Sequence, residues 1–308
     1  MRGLRALIAV AAPSHLPVLI QGPTGAGKEL VAAALHSASG RAGRFVAFNV
    51  CAIGDSMFED ALFGHVRGAF TGALSDSLGL LREADRGTVF FDEISGLQGP
   101  LQAKLLRAVE TQEFRPVGAN RDARSAFRFV AATNESLEQL VTAGRFRSDL
   151  AHRIGAIVIH VPALVDRVED IAQLTHHFLE RSGSPFALLD DEAISTLQRH
   201  TWPGNIRELK QVVEWSCVLG SGRLSARVIE LALSQRIPGE ARVDAAREYL
   251  ELRRLLDVHG WDTEHAARAL GVHRATLYRR MKRHALVAPL SSRQSAASLG
   301  NSTAAVGG

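Results

Sequence analysis

Residues 16–28 read Leu-Pro-Val-Leu-Ile-Gln-Gly-Pro-Thr-Gly-Ala-Gly-Lys, and this stretch decides the fold. Leu16–Gln21 is a short apolar run with the character of a buried strand. Gly22, Pro23, Thr24, Gly25, Ala26, Gly27 and Lys28 fit the G-x-x-x-x-G-K pattern. Lys28–Ser39 is helical, with Leu30, Val31, Ala34 and Leu35 on one face. A strand, a glycine loop, a lysine and a helix in that order make a phosphate cradle. Glycines let backbone N–H groups curl inward, the helix N-terminus adds partial positive charge, and Lys28 reaches terminal phosphates. Glu29 departs from the generic motif, which has Ser or Thr there to touch magnesium.

The surrounding pattern is α/β. Phe45–Val50, Thr88–Phe91 and Phe129–Ala132 are short apolar runs of the kind buried in a parallel sheet, and Leu101–Thr111 is an amphipathic helix. Thr88-Val-Phe-Phe ends in Asp92 and Glu93. Asp92 emerges where Mg2+ bridging the phosphates of ATP would sit, and Glu93 is placed to activate the attacking water. From Pro162 onward the pattern is helical, over Val168–Arg181, Asp190–His200 and Ile206–Leu219.

The chain has 308 residues and an ordinary globular composition, which excludes a wholly disordered chain, a collagen and a membrane bundle. Ala6–Ala12 is far shorter than the ~20 apolar residues of a membrane span. With Arg2 and Arg5 it imitates a signal peptide, but cleavage there would strip the helix from the following strand. A cytoplasmic protein with no membrane partner is expected. Cys51 and Cys217 sit in apolar-rich segments and are expected to be small buried hydrophobes.

Charge is uneven. Residues 241–287 hold ten basic and six acidic side chains, and 268–284 hold six basic residues and no acid. That suits a phosphate backbone. Thr263–Val272 reads as a short helix stopped by Gly271, and Arg274–His284 as a second. Ala267 permits close packing, while Leu270, Val272 and Leu277 face a shared core. This is helix-turn-helix spacing. His273, Arg274, Thr276 and Arg280 would approach base edges, and Arg279, Lys282 and Arg283 would meet phosphates of double-stranded DNA.

Gly68, Ala69, Phe70, Thr71, Gly72 and Ala73, preceded by Leu62-Phe-Gly-His65, resemble the partner loop of sigma-54-dependent transcription activators, the bacterial enhancer-binding AAA+ ATPases. The resemblance covers nearly the whole chain. Lys28-Glu-Leu30 is similar to that family's phosphate-loop exit, so Glu29 is a family trait. Ala131-Ala-Thr133-Asn134 resembles sensor I, and Gly144-Arg-Phe-Arg147-Ser-Asp149-Leu with Arg153 the arginine-finger region. Trp202-Pro-Gly-Asn-Ile-Arg207-Glu-Leu209 resembles the start of the sensor II helix, and the C-terminal unit a Fis-type domain.

The resemblance implies an AAA+ core over 1–161, a helical lid over 162–234, a linker over 235–244, a helix-turn-helix over 245–287 and a disordered tail over 288–308. It implies that Asn49 is a switch residue holding Glu93, that Arg147 and Arg153 reach a neighbour's nucleotide in a hexamer, and that Arg207 touches phosphates in cis. Phe70 and Thr71 would contact the sigma factor of the sigma-54 RNA polymerase holoenzyme. The family's usual sensory domain is absent from this sequence, which implies restraint by abundance or by a separate regulatory protein. Pro23, Ala26, Asp60, Ala61 and Arg86 depart from the usual pattern, Arg86 standing where glycine is usual.

Overall fold

In the computed structural model, residues 2–182, 188–220 and 223–234 are described, followed by 252, 254–256, 258–270, 272, 274, 277, 280 and 281. The linker 235–244 and the tail 288–308 lie outside the described residues. The chain divides into two compact units, 1–178 with 198–211, and 179–197 with 212–308. These points of division differ from the domain boundaries read in the sequence.

The first unit opens with helix α1 (Arg2–Ala11), strand β1 (Val18–Gln21), α2 (Lys28–Ala38), β2 (Phe45–Asn49), α3 (Asp55–Phe63) and α4 (Leu80–Glu83). It continues with β3 (Thr88–Asp92), α5 (Gly99–Thr111), β4 (Glu113–Phe114), β5 (Ala123–Arg124), β6 (Arg128–Thr133), α6 (Leu137–Thr142), α7 (Ser148–Ile154) and β7 (Ile157–His160). Five of the strands form a parallel sheet in the order β2-β3-β6-β1-β7. The apolar runs are continuous because the sheet is covered on both faces. Leu19, Val89, Phe91, Phe129 and Ala131 pack on one face in a core shared with α3, α5 and α7. Val18, Ile20, Phe90, Val130 and Ala132 pack on the other with α1 and α2.

The strand order places the chemistry. β6 lies between β1 and β3, so the residues after all three strands emerge on one edge of the sheet, the carboxyl edge where α/β proteins bind ligands. At the opposite edge, β6 begins one residue earlier than expected. Buried Arg128 donates to Ala12 O at 2.5 Å and Ala11 O at 2.7 Å, capping α1 with a cation. Burial pulls the Arg128 guanidinium down to about 10.

Arg86 occupies the left-handed region at φ 55°. Its backbone is held by Arg86 N–H to Ala126 O and Gly43 N–H to Arg86 O, both 3.0 Å, which explains why glycine suits the position. A left-handed non-glycine residue costs roughly 1–2 kcal/mol, and glycine's extra unfolded-state freedom returns about 0.4–1 kcal/mol of that. Arg86→Gly is therefore expected to stabilise the protein by about 0.5–1 kcal/mol. A lower denaturant midpoint for the variant would contradict this reading of the turn.

The helical region after β7 is α8 (Asp170–Arg181), α9 (Asp191–Arg199), α10 (Asn205–Gly220) and α11 (Ala226–Ser234). The helix-only expectation misses a two-residue parallel pair, β8 (Leu188–Leu189) with β9 (Arg223–Leu224). Neither strand is long enough to show periodicity. Cys51 is exposed and Cys217 half-buried, correcting the expectation that both are core residues. Cys51 lies in the 3-10 turn after β2, where the chain has already left the sheet.

In the second unit, the helix Thr263–Ala269 is capped by Asp262, whose Oδ1 accepts from Glu264 N–H at 2.8 Å and His265 N–H at 3.3 Å. The His265 side-chain hydrogen bond, with these caps, holds the Asp262 carboxyl at about 2. Leu252, Leu256, Ala266, Ala267, Leu277 and Met281 form a small core, with Leu270 and Val272 packed against it.

Candidate functional site: a nucleotide cleft and a projecting loop

The phosphate loop leaves β1 at Gln21, and Gly22 N–H continues the sheet ladder to Thr133 O at 3.2 Å. A Cβ on Gly22 would sit 2.6 Å from Val161 O. Gly25 and Gly27 take φ values of 76° and 98°, the left-handed turns that aim successive N–H groups inward. Pro23 has no N–H to donate, and its carbonyl accepts from Ala26 N–H at 3.2 Å. Ala26 is buried in the α2-side core. Lys28 is also buried, and its Nζ donates to Gly22 O at 3.0 Å and Pro23 O at 3.3 Å.

Thr24, Gly25, Gly27, Lys28, Glu29, Asp92, Glu93 and Arg207 line one cleft of about 150 Å³. Asp92 ends β3, and its Oδ1 accepts Glu93 N–H at 3.1 Å. Glu93 is left-handed at φ 55°, strain of the kind concentrated at functional sites. Burial pushes its carboxyl up; Lys28 opposes the shift, Asp92 and Glu135 add to it, and Arg207 opposes it. A half-buried carboxyl between opposing charges is the environment of a general base. Glu29 is exposed at the rim.

The Thr133 hydroxyl closes a local turn with Glu135, accepting its N–H at 3.0 Å, and does not line the cleft. Asn134 Nδ2 donates to Thr24 Oγ1 at 3.0 Å and so reaches the loop. Asn49 lies beside Asp92 in the β2/β3 register, and its Oδ1 accepts Cys51 N–H at 2.9 Å. Arg147 and Arg153 are exposed and do not line the cleft of their own chain. Arg147 instead forms a two-pronged pair with Asp149, Nε to Oδ1 at 3.0 Å and Nη2 to Oδ2 at 2.7 Å.

Three features escaped sequence reasoning. The start of α10 docks on the phosphate loop: Ile206 N–H donates to Gly25 O at 3.0 Å, and Asn205 Nδ2 to Thr24 O at 3.0 Å. Asn205 Oδ1 also accepts Leu164 N–H at 2.8 Å. A Cβ on Gly25 would come within 2.4 Å of Gly204 O, so this docking itself demands glycine. Arg167 Nη2 donates to Ala26 O at 2.7 Å. Beside the loop, Leu4, Ile8, Leu30, Val161, Leu174 and His177 belong to the lining of a mostly apolar groove of about 350 Å³. The apolar spacing of α1 was the available signal for two of these residues.

The Gly68–Ala73 segment is outside both cavities. Gly68 N–H to Ala73 O at 2.9 Å and Ala73 N–H to Phe70 O at 3.0 Å fold it into a tight loop, with φ 82° at Gly68 and 104° at Gly72. Phe70 is 46% exposed and Leu74, just after the segment, 85%, while Ala73 is buried. Of the expected DNA contacts, Arg274 is exposed and Arg280 half-buried, while His273, Thr276, Arg279, Lys282 and Arg283 lie outside the described residues. Among the described residues, no helix is long and apolar enough to cross a membrane.

Residues 1–160 match the family described as Sigma-54 interaction domain. Residues 165–245 match the AAA+ ATPase lid domain, and 247–284 the bacterial regulatory protein, Fis family. Transcriptional regulatory protein GlrR of Escherichia coli (strain K12) is 38% identical over 286 residues, which cover 90% of this chain and 64% of GlrR. ZraR of Salmonella typhimurium is 42% identical over 289 residues, covering 90% of this chain and 65% of ZraR. The chain thus spans just under two thirds of the length of these regulators. The solved structure of NtrX from Brucella abortus in complex with ATP aligns with TM-score 0.68 and 32% identity, over 92% of this chain and 67% of that one. With the parallel sheet, the phosphate loop and all three matched segments in order, the chain belongs to the sigma-54 interaction-domain family of AAA+ transcriptional regulators.

Proposed function

We propose that this protein is an ATP-driven transcription activator. It binds double-stranded DNA upstream of a promoter and hydrolyses ATP as a ring, a hexamer by family resemblance. The hydrolysis remodels the sigma-54 RNA polymerase closed complex into an open one. The ATPase core, lid and DNA reader correspond to residues 1–161, 162–234 and 245–287. The observation that carries the reading is the division of labour on the core. Phosphate loop, acid pair and Arg207 share one cleft, while a loop with an apolar tip stands outside it.

The residues fit a magnesium nucleotide. Gly22 and Gly25 leave no room for a Cβ, Lys28 holds a buried amine inside the loop, and Asp92 supplies a carboxylate of the kind that holds Mg2+ beside phosphate oxygens. Bound Mg2+ would neutralise charge on the phosphates. Asp92 would hold the ion. Backbone N–H groups of the turns at Gly25 and Gly27, with Lys28, bind the phosphates, and the groove beside α1 takes the base. Glu93 orients the attacking water and accepts its proton. Arg207 meets the phosphates in cis, Asn134 and Thr133 fix the loop from β6, and Asn49 relays the state of Glu93. Arg147 and Arg153 act on the neighbouring subunit's nucleotide. The Gly68–Ala73 loop grips the sigma factor more tightly in one nucleotide state than another, which is all that coupling requires. Arg274, Arg280 and the neighbouring basic residues read and hold DNA.

The test is ATP turnover and promoter melting on one preparation of the full chain, with and without sigma-54 promoter complexes. Hydrolysis together with ATP-dependent melting is expected. No hydrolysis would indicate a DNA-binding regulator with a degenerate core. Hydrolysis without melting would indicate a general AAA+ remodeller.

A further inference from the structure

The neck of the Gly68–Ala73 loop carries a carboxylate–imidazole hydrogen bond that lies outside the nucleotide cleft. Asp60, in the last turn of α3, accepts from His65 Nδ1 at 2.5 Å. Because a carboxylate only accepts, the proton sits on Nδ1, which fixes the ring's tautomer and its orientation. His65 is largely buried, its side chain 13% exposed. Its backbone is pinned on both sides, by His65 N–H to Ser77 O at 3.1 Å and Ser77 N–H to His65 O at 2.9 Å. A second strap joins the neck to the 113–119 segment, through Val66 N–H to Val117 O at 3.1 Å and Val117 N–H to Gly64 O at 2.8 Å.

The His65 ring meets Phe70 edge-on, with centroids 5.0 Å apart and planes at 67°. Such aromatic pairs hold a preferred geometry beyond simple area burial. This contact runs from the pinned neck to the loop tip. The loop around Phe70 stands in open space: a Cβ on Gly68 or Gly72 would meet nothing within 4 Å. Without a side-chain anchor, an exposed Phe on such a loop would turn inward or sample many positions.

We propose that Asp60 and His65 are a positioning pair: Asp60 locks the His65 ring, and the ring presents Phe70 to the protein partner of the loop. The inference rests on the functional reading above for the identity of that partner, the sigma-54 holoenzyme. Neither residue lines the nucleotide cleft.

The experiment compares wild type, Asp60→Ala, His65→Ala and Asp60→Asn, the last retaining an acceptor oxygen for Nδ1–H. Deuterium uptake over residues 66–74 reports the loop directly and needs no partner. Uptake should be at least tenfold faster in Asp60→Ala and His65→Ala, and within about threefold of wild type in Asp60→Asn, with α2 and the sheet unchanged in all four. Promoter melting should fall at least tenfold in the two alanine variants and recover in Asp60→Asn, while the kcat and KM for ATP stay within twofold. Unchanged loop exchange in Asp60→Ala would overturn the proposal. So would full promoter melting by a variant whose loop exchange has risen, or an Asp60→Asn protein as defective as Asp60→Ala. If wild type itself fails to melt sigma-54 promoters, the functional reading fails. The exchange data would then decide separately whether the pair holds the loop.

Discussion

Glu93→Gln is expected to bind ATP as wild type does and to turn it over roughly 10²–10⁴ times more slowly, the usual cost of losing a positioned general base. The substitution keeps the size of the side chain and the φ 55° backbone that aims it, and removes only the ability to take a proton. Glu93 is suited to the task because burial pushes its carboxyl up while Lys28 and Arg207 hold it in check. Lys28→Ala should behave differently. Its buried ammonium fills the centre of the phosphate loop, so its loss should abolish nucleotide binding itself. Equilibrium binding of a fluorescent ATP analogue, beside steady-state turnover, separates the two. Equal loss of binding in both variants would show that the carboxylate has been assigned the wrong role.

A second large effect is expected between subunits. An arginine finger is worth roughly 10³–10⁵ in rate. Arg147 and Arg153 lie away from their own cleft, and Arg147 is held by Asp149 in an exposed pair that solvent screens. A neighbour's nucleotide can therefore compete for that guanidinium at little cost. Arg153→Ala and Lys28→Ala proteins should each be inactive alone. Mixed, they should partly recover hydrolysis, because an intact Arg153→Ala cleft would receive fingers from an adjacent Lys28→Ala subunit. Specific activity should also rise with protein concentration. A concentration-independent ATPase with no recovery on mixing would place both arginines outside the reaction.

Most of the nucleotide cleft was legible in the sequence because its parts are local. A strand, a glycine loop and a lysine follow one another without interruption, and β3 ends directly in Asp92 and Glu93. What joins these parts is non-local and left no periodic trace. That β6 lies between β1 and β3 is a matter of topology. The docking of Asn205 and Ile206 on Thr24 and Gly25 spans some 180 residues of sequence. The apolar groove is assembled from α1, α2, the segment after β7 and α8, none of which shows it alone. Composition misled at Cys51, since a cysteine in an apolar stretch was taken for a core residue and stands instead on an exposed turn. Arg86 shows the reverse: the departure from glycine was visible in the sequence, but its φ of 55° was not.

The central claim is that the Gly68–Ala73 loop converts ATP turnover into work on the sigma-54 holoenzyme. Thr71 is exposed at its tip beside Phe70 and takes no part in the lining of the nucleotide cleft. The most direct measurement is open-complex formation at a sigma-54 promoter by Thr71→Ala, with ATPase rate and operator affinity determined on the same preparation. Turnover and DNA binding close to wild type, with promoter melting abolished, is the predicted result. Full promoter melting by Thr71→Ala would contradict the claim.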